Sequence, residues 1–327
     1  MTTKVVKGSL WTLAGQVAPL IVSLVTTPFV IRMLGAESYG VLILVGLIPT
    51  YLGFADFGMG MASTKFASEA YAEGDHDREA RIVRTAALIA TSSSLPVALI
   101  LFLMSPQIIG FFNVPEHLQG EASVALKLAA ITFVVNLLNS IFNTPQLTRL
   151  RMDLNAAITA GFRVLSLCLI PLAVYFGGIV GAVSVLLITS LLTLALHILV
   201  SSSLSMHLFS FSFDAAIARK MMGFGTAIAV AGMAALLLAN LEKGILARLL
   251  PVKALAYYGA ASTLAGMLTL FASSMSQSLM PAFSQLQTAQ DGAKLNDLYA
   301  RGIKMNLLWS LPTLICLCLL AKPFFTV

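Results

Sequence analysis

Long stretches without any charged residue decide which folds this chain can adopt. The stretches that lack Asp, Glu, Lys and Arg are 8–31, 38–55, 85–115, 128–148, 164–213, 221–241, 254–290 and 305–321. A helix needs about 20 apolar residues to cross the hydrocarbon core of a bilayer. Only 10% of the 327 residues are charged, which is too few to cover a water-soluble globule. The sequence therefore predicts a polytopic membrane protein.

Nine transmembrane helices account for these stretches. The run 164–213 is long enough for two helices, and the Gly177-Gly178 pair inside it is typical of a turn. Helices satisfy their own backbone hydrogen bonds where no water is present, so the predicted fold class is all-α. The helices cover about residues 8–33, 40–64, 82–104, 122–143, 155–176, 179–205, 221–247, 257–284 and 304–321.

The distribution of basic residues predicts the orientation. With a cytoplasmic N-terminus, the inner loops hold Lys4, Lys7, Lys65, Arg78, Arg81, Arg84, Arg149, Arg151, Arg219, Lys220, Lys294, Arg301 and Lys304, and the outer side holds Arg32, Lys127, Lys243, Arg248, Lys253 and Lys322. Thirteen basic residues inside against six outside agree with the positive-inside rule. We therefore predict a multi-pass protein of the cytoplasmic, or inner, membrane with its N-terminus in the cytoplasm. Topology also explains the basic pI of about 9.3, so nucleic acid is not an expected partner.

Two segments of the chain resemble each other at a fixed offset. Arg32 to Leu42 and Arg248 to Ala261 both run from a basic residue through a turn to Tyr-Gly, and the two glycines are 219 positions apart. Six predicted helices separate the two segments, so we expect a parallel repeat. Residues 1–210 form the first six-helix lobe, and 211–327 form three helices of a second lobe. We expect the chain to be incomplete; a protein of nine spans is the alternative.

Four segments carry a resemblance to a known family. They are VTTPFVIRMLGAESYGVL (25–42), ADFGMGMASTKF (55–66), FFNVPE (111–116) and NLEKGILARLLPVKALAYYGAAS (240–262). Together they resemble the polysaccharide-biosynthesis, O-antigen type flippases of the multidrug, oligosaccharidyl-lipid and polysaccharide exporter superfamily. The resemblance implies two six-helix lobes, alternating access and a lipid-linked oligosaccharide as cargo, here for lipopolysaccharide or a similar surface polymer. Ending after nine helices departs from that pattern.

Arg163 is the strongest candidate for contact with such cargo. It lies nine residues into the fifth predicted helix, about 13 Å from its inner end. A charge at the bilayer centre costs on the order of 3 kcal/mol, so a buried cation indicates a function. The guanidinium could hold a phosphate through two parallel hydrogen bonds. The alternative is that it snorkels to the headgroups.

Other charged residues near helix ends are candidates with structural alternatives. Glu242 and Lys243 lie about 32 Å along the seventh helix and match an acidic–basic pair of the family, either contacting substrate or anchoring the helix at the interface. Asp56 and Lys65 on the second helix are candidates for gating or coupling to an ion, either a proton or sodium. Their alternatives are a structural role for Asp56 and a topological role for Lys65.

Polar uncharged residues form stripes on three predicted helices. Asn136, Asn139 and Asn143 are spaced three and four residues apart, which places them on one face of the fourth helix. Gln16 lies on a similar stripe of the first helix, and a third stripe follows the eighth. Such stripes either line a cavity for sugars or join helices to each other.

The motif Asp75-His76-Asp77 does not predict metal chemistry. It lies in a predicted loop with Glu79 and other charged residues, and a solvated loop explains it. We expect no catalytic residues, no metal and no cofactor, and we expect a transporter and not an enzyme. The partners would be membrane lipids, the lipid-linked oligosaccharide and a coupling ion.

Three other functions remain open at this stage: an antiporter, a membrane enzyme and a membrane scaffold that transports nothing. A drug/cation antiporter of the same superfamily generally holds a carboxylate deep in its first helix, but residues 8–31 contain no Asp or Glu. A membrane enzyme of polysaccharide assembly would need a large external loop with catalytic groups, and residues 105–121 offer only Glu116, His117 and Glu121.

The predicted orientation can be tested by cysteine labelling. Ser68→Cys and Ser284→Cys, each in a background without the three native cysteines, lie in loops assigned to the cytoplasm. An impermeant maleimide should label them only after the membrane is permeabilised. Labelling of either position in intact cells would contradict the assignment.

Overall fold

The computed structural model describes residues 2–204 and 214–262, together with 265–266, 296, 299–300, 303–304, 306–308, 310–315 and 319. Eight helices have the bounds Thr2–Tyr51 (α1), Met59–Ala72 (α2), His76–Leu103 (α3), Ser105–Phe111 (α4), Glu116–Phe142 (α5), Thr144–Thr148 (α6), Met152–Leu204 (α7) and Ala215–Leu249 (α8). Residues 252–262 are also helical. No strand occurs in the described part, and the all-α prediction is confirmed.

Two of the long helices are each a pair of helices joined at glycine. In α1, Gly35 leaves the helical region (φ 77°), and in α7 the break falls at Gly177 and Gly178. Gly178 has φ 54° and ψ −137°, a conformation open mainly to glycine. Thr159 and His197, nearly equidistant from this break, are in contact. The two halves of α7 therefore run antiparallel, with the turn at the predicted glycine pair.

The prediction of one continuous helix over 40–64 is wrong. The helix ends at Tyr51, a 3₁₀ turn covers Gly53–Asp56, and α2 begins at Met59. Phe57 (φ 51°) and Gly58 (φ 69°) both have left-handed backbone conformations, which cannot continue a right-handed helix. Gly53, Asp56 and Gly58 lie within six residues here, and such residues are the local signal of a turn, which the prediction of a continuous helix overlooked.

Long apolar helices account for most of the described chain. Four of them are long and apolar enough to span a membrane, or five if the two parts of α8, which meet at an angle of 54°, form one span. Large apolar side chains face outward; Phe176, for example, is 78% exposed. Hydrocarbon favours such a surface and water does not. The predicted span 257–284 lies mostly outside the described residues and 304–321 is described only in part, so the count of nine stays a prediction.

The chain divides into two compact units, Met1–Tyr258 and Gly259–Val327. The first unit has a core that joins α1, α3, α5, α7 and the end of α8, with Leu44, Leu101, Leu126 and Ile179 buried in it. This unit extends beyond the predicted lobe 1–210 to include α8. The lobe boundary and the parallel repeat stay predictions, because much of the second predicted lobe lies outside the described residues.

Small residues allow α8 to approach the break in the second helix closely. A Cβ atom added to Gly225 would meet the carbonyl oxygen of Phe57, and one added to Gly58 would meet the carbonyl of Gly225. The two backbones are therefore in direct contact. This contact closes one side of the space in which Asp56 lies.

We expect Gly225→Ala to destabilise the fold by about 1–3 kcal/mol, because the added methyl group meets backbone that cannot move freely. Gly223→Ala is the matched control on the same helix, since no atom lies within 4 Å of its added Cβ. Helix propensity favours alanine over glycine, so the control should be neutral or slightly stabilising. The measurement is reversible SDS unfolding of the purified protein. Equal effects of the two variants would contradict the close contact.

Candidate substrate-binding site

A polar cavity of about 450 Å³ lies between α5 and the two halves of α7. Its lining combines amide, hydroxyl, guanidinium and imidazole groups from Thr132, Asn136, Asn139, Ser140, Asn143, Thr159, Arg163, Ser166, Thr189, Ser190, Thr193 and His197, beside Phe162 and Leu186. Polar groups inside an apolar bundle are costly unless they have partners. We call this space the polar cavity.

Arg163 is the cation of the polar cavity. Its side chain is exposed and lines the space, and no salt bridge to it occurs among the described residues. Its guanidinium makes no hydrogen bond to another described residue either, so its five N–H donors can face an anion. The predicted residue therefore lies where a bound anionic group could reach it.

The asparagine stripe of α5 both joins helices and lines the cavity. The hydroxyl of Ser190 donates to Oδ1 of Asn136 at 2.6 Å, and Nδ2 of Asn139 donates to the Ser190 carbonyl at 3.3 Å. Oδ1 of Asn139 and Oδ1 of Asn143 are buried without a hydrogen-bond partner in the described part of the protein. These two oxygens are free acceptors beside the cavity. The two interpretations of the stripe are thus both compatible with the structure.

His197 belongs to the same cavity, although sequence reasoning did not select it. It is only 1% exposed, and its Nδ1 lies 3.0 Å from Nε2 of Gln146 while its Nε2 lies 3.3 Å from Oγ1 of Thr159. A lone histidine in the run LLTLALHILV was the available signal. The partners come from α6 and from the other half of α7, which the local sequence does not reveal.

A second cavity, of about 760 Å³, lies between α2, the α5–α6 junction and α8. Asp56, Lys65 and Asn143 line it. Asp56 is 8% exposed, and its carboxylate accepts hydrogen bonds from the backbone N–H of Gly58 at 2.9 Å and of Gly60 at 3.4 Å. The carboxylate thus stabilises the first turn of α2, which favours the structural interpretation of Asp56.

Lys65 packs against aromatic rings at the edge of the second cavity. Its ammonium lies 4.0 Å from the ring centre of Phe224 and 5.2 Å from that of Phe66. Lys220 also lies over Phe66, at 5.0 Å. These cation–π contacts join α2 to α8. Gating by Lys65 stays a prediction, now with a defined contact that a gate would have to break.

The other predicted residues lie apart from the polar cavity. Gln16 is exposed on α1 and lines neither the polar cavity nor the second cavity. Lys243 donates to Oδ1 of Asn240 at 3.0 Å, and the hydroxyl of Tyr51 donates to the Asn240 carbonyl. The pair Glu242–Lys243 therefore lies where α8 meets the C-terminal end of α1.

Comparison with known proteins identifies the family. The sequence profile described as polysaccharide biosynthesis protein matches residues 5–287, most of the chain. The chain belongs to this family. A Shigella flexneri protein assigned as an O-antigen transporter is 23% identical over 139 residues, which is 42% of this chain and 33% of that protein. The match therefore spans about a third of the length of this relative.

Solved structures of transporters share the fold of this family member. An inward-facing multidrug resistance MATE transporter of the MOP superfamily superposes with a TM-score of 0.71 at 15% identity, covering 93% of this chain and 71% of its own. A mutant of the Vibrio cholerae MATE transporter VcmN gives 0.67 at 17%, covering 98% and 74%. A Pyrococcus furiosus MOP transporter, described with reversed binding-pocket polarity, gives 0.59 at 14%, covering 98% and 72%.

The sequence predicts Glu79 to be a solvated loop residue, and this prediction is wrong. Its side chain is fully buried, and it forms a two-point ion pair with Arg149, with distances of 2.5 Å and 3.1 Å. The guanidinium also donates to the Leu204 carbonyl at 2.8 Å and lies 4.7 Å from the ring centre of Tyr71. These contacts join α2, α3, the end of α6 and the end of α7. Asp75, nearby, accepts from the backbone of Arg78 and begins α3.

We expect Glu79→Ala to lower the free energy of unfolding by about 3 kcal/mol, because it leaves the Arg149 charge partly buried and unpaired. Glu73→Ala is the control, since it removes an exposed ion pair with Arg78 and should cost less than about 1 kcal/mol. Reversible SDS unfolding gives both values. A small effect of Glu79→Ala would show that the cluster does not hold these helices together.

Proposed function

We propose that this protein moves a lipid-linked oligosaccharide, carried on a polyprenyl diphosphate, across the cytoplasmic membrane for surface polysaccharide biosynthesis. The observation that supports this function is the polar cavity, where an unpaired guanidinium lies among amides and hydroxyls inside an apolar bundle. Family membership and the transporter fold agree with it. In this proposal the N-terminus is cytoplasmic and the cavity opens alternately to the two sides.

The groups of the cavity match the parts of such a cargo. A diphosphate brings about two negative charges into a medium that disfavours them, and Arg163 could compensate by bidentate hydrogen bonding. The free oxygens of Asn139 and Asn143 could accept hydrogen bonds from sugar hydroxyls. The polyprenyl chain needs no polar partner and could stay in the bilayer, against the apolar outer surface.

A drug/cation antiporter is the second candidate function, because the solved transporters of this fold include multidrug resistance proteins. An organic cation would need a carboxylate to balance its charge. The charged group of the polar cavity is instead a cation, and the one carboxylate that lines the second cavity, Asp56, stabilises a helix end. The charge of the polar cavity therefore favours an anionic cargo.

Arg163→Ala should abolish most of the transport, and Arg163→Lys should retain part of it, because lysine keeps the charge and loses the planar fork. The measurement is surface-polysaccharide assembly in cells at matched membrane abundance. Arg151→Ala is the control, since that residue is half exposed and pairs only with Asp153. Wild-type polymer levels with Arg163→Ala would contradict the proposed phosphate contact. They would favour the alternative that Arg163 snorkels to the headgroups.

A further inference from the structure

Two lysines on different helices share one aromatic ring beside the second cavity. Nζ of Lys65 on α2 lies 5.2 Å from the ring centre of Phe66, and Nζ of Lys220 on α8 lies 5.0 Å from it. Lys65 is also 4.0 Å from the ring centre of Phe224, and both of these residues line the cavity. The rings therefore hold two ammonium groups close together at the cavity edge.

No carboxylate neutralises these two charges in the described part of the chain. Neither lysine forms a salt bridge there, and neither does Glu69, one turn beyond Lys65. The carboxylates of Asp56 in the cavity and Asp214 at the start of α8 instead accept hydrogen bonds from backbone N–H groups. Arg219, exposed and adjacent in sequence to the lysine of α8, adds a third positive charge. Like charges repel each other, and an anion between them relieves the repulsion.

The walls of the second cavity suit the apolar part of an amphiphile. The volume is about 760 Å³, and the lining is largely apolar, with Met61, Leu147, Phe224, Ile228, Ala229 and Met233 among its members. An apolar chain can bind there without any loss of hydrogen bonds. Cations at the edge and apolar walls inside thus match a lipid with an anionic headgroup.

Two residues at the end of α5 connect this cavity with the polar cavity. Ser140 and Asn143 line both cavities, and Oδ1 of Asn143 is buried without a hydrogen-bond partner among the described residues. A headgroup that leaves Lys65 therefore has Arg163 as the cation of the adjoining space. A phospholipid of the bilayer has no use for such a connection, whereas a transported lipid does.

We propose that Lys65 and Lys220 form a second diphosphate site, which the cargo occupies before it reaches Arg163. This inference rests on the proposed function, since it adds a site for the same cargo. The diphosphate lies between the two ammonium groups and accepts charge-assisted hydrogen bonds from both. The first isoprenyl units enter the second cavity, and the rest of the chain stays in the bilayer.

Lysine here and arginine in the polar cavity give the two sites an order. An ammonium is a compact point charge with three rotatable donors, so it holds a phosphate without fixing its orientation. The guanidinium of Arg163 offers a planar pair of donors, and the headgroup gains a fixed second hydrogen bond when it moves there. Both lysines also belong to the set of basic residues assigned to the cytoplasmic side, so cargo made in the cytoplasm meets them first.

Calorimetric titration of farnesyl diphosphate, a short isoprenyl diphosphate, into the full-length purified chain in phosphatidylcholine nanodiscs tests the second site. We expect two bound probes per wild-type chain. Lys65→Gln combined with Lys220→Gln should weaken the binding of one probe by about tenfold or more, because hydrogen bonds from charged donors are lost. Lys65→Arg combined with Lys220→Arg keeps both charges and should retain both probes.

Lys127→Gln is the matched control. The ammonium of Lys127 also lies over a phenylalanine ring, 5.6 Å from the centre of Phe102, but it lines neither the second cavity nor the polar cavity. The control should bind both probes as the wild type does. Arg163→Gln should lose the other probe and keep the one at the lysines. A site that a variant retains also shows that the variant is folded.

Wild-type binding by the double glutamine variant overturns the second site, as does a single probe per chain that the lysine and arginine variants both lose. Loss of the lysine-dependent probe on addition of phosphatidylglycerol to the nanodiscs also overturns it, because the lysines then bind a bilayer phospholipid. If only Arg163→Gln loses a probe, the proposed function stands without this site. If only the lysine variant does, the site stands and the phosphate contact of Arg163 is contradicted. A wild type that binds no probe contradicts both.

Discussion

The bilayer core contains no water, and every polar group placed there needs a partner within the protein. Backbone groups meet this requirement by forming helices, and the described chain is helical almost throughout. Some side chains, such as those of Thr189 and Thr193, donate to a carbonyl of their own helix. Others form hydrogen bonds or ion pairs between helices, and these mark places where two helices must stay in register. Glu79 with Arg149, Gln146 with His197, and Asn139 with the Ser190 carbonyl are such places.

The polar cavity follows from the same requirement. A group with no partner in the apolar bundle is costly, yet Oδ1 of Asn139, Oδ1 of Asn143 and Oε1 of Gln146 are buried and unpaired in the described part. In a rigid core, packing would have removed or satisfied them. The two asparagines line the cavity of about 450 Å³, where water or cargo can donate to their oxygens.

Glycine determines where helices turn and where they approach. Gly178 gives the reversal of α7 that brings Thr159 to His197, and Gly58 with Gly225 brings α8 against the break in the second helix. Because that approach is backbone to backbone, few side chains separate α2 from α8. The cation–π contacts of Lys65 and Lys220 lie beside it. The second cavity is therefore bounded on this side by close packing of α2 on α8, which also share a buried cluster that contains Met59 and Met221.

The sequence by itself determined the membrane class, the all-α fold and the turn at Gly177–Gly178, because length, apolarity and glycine content act locally along the chain. It also singled out Arg163 and the three asparagines as candidates, and the structure brings all four to one cavity. Only the tertiary structure decided that Glu79 is buried against Arg149 and that His197 contacts Gln146 and Thr159. These features depend on which residues meet across 38 to 70 positions of chain, and helical periodicity carries no information about such distant partners.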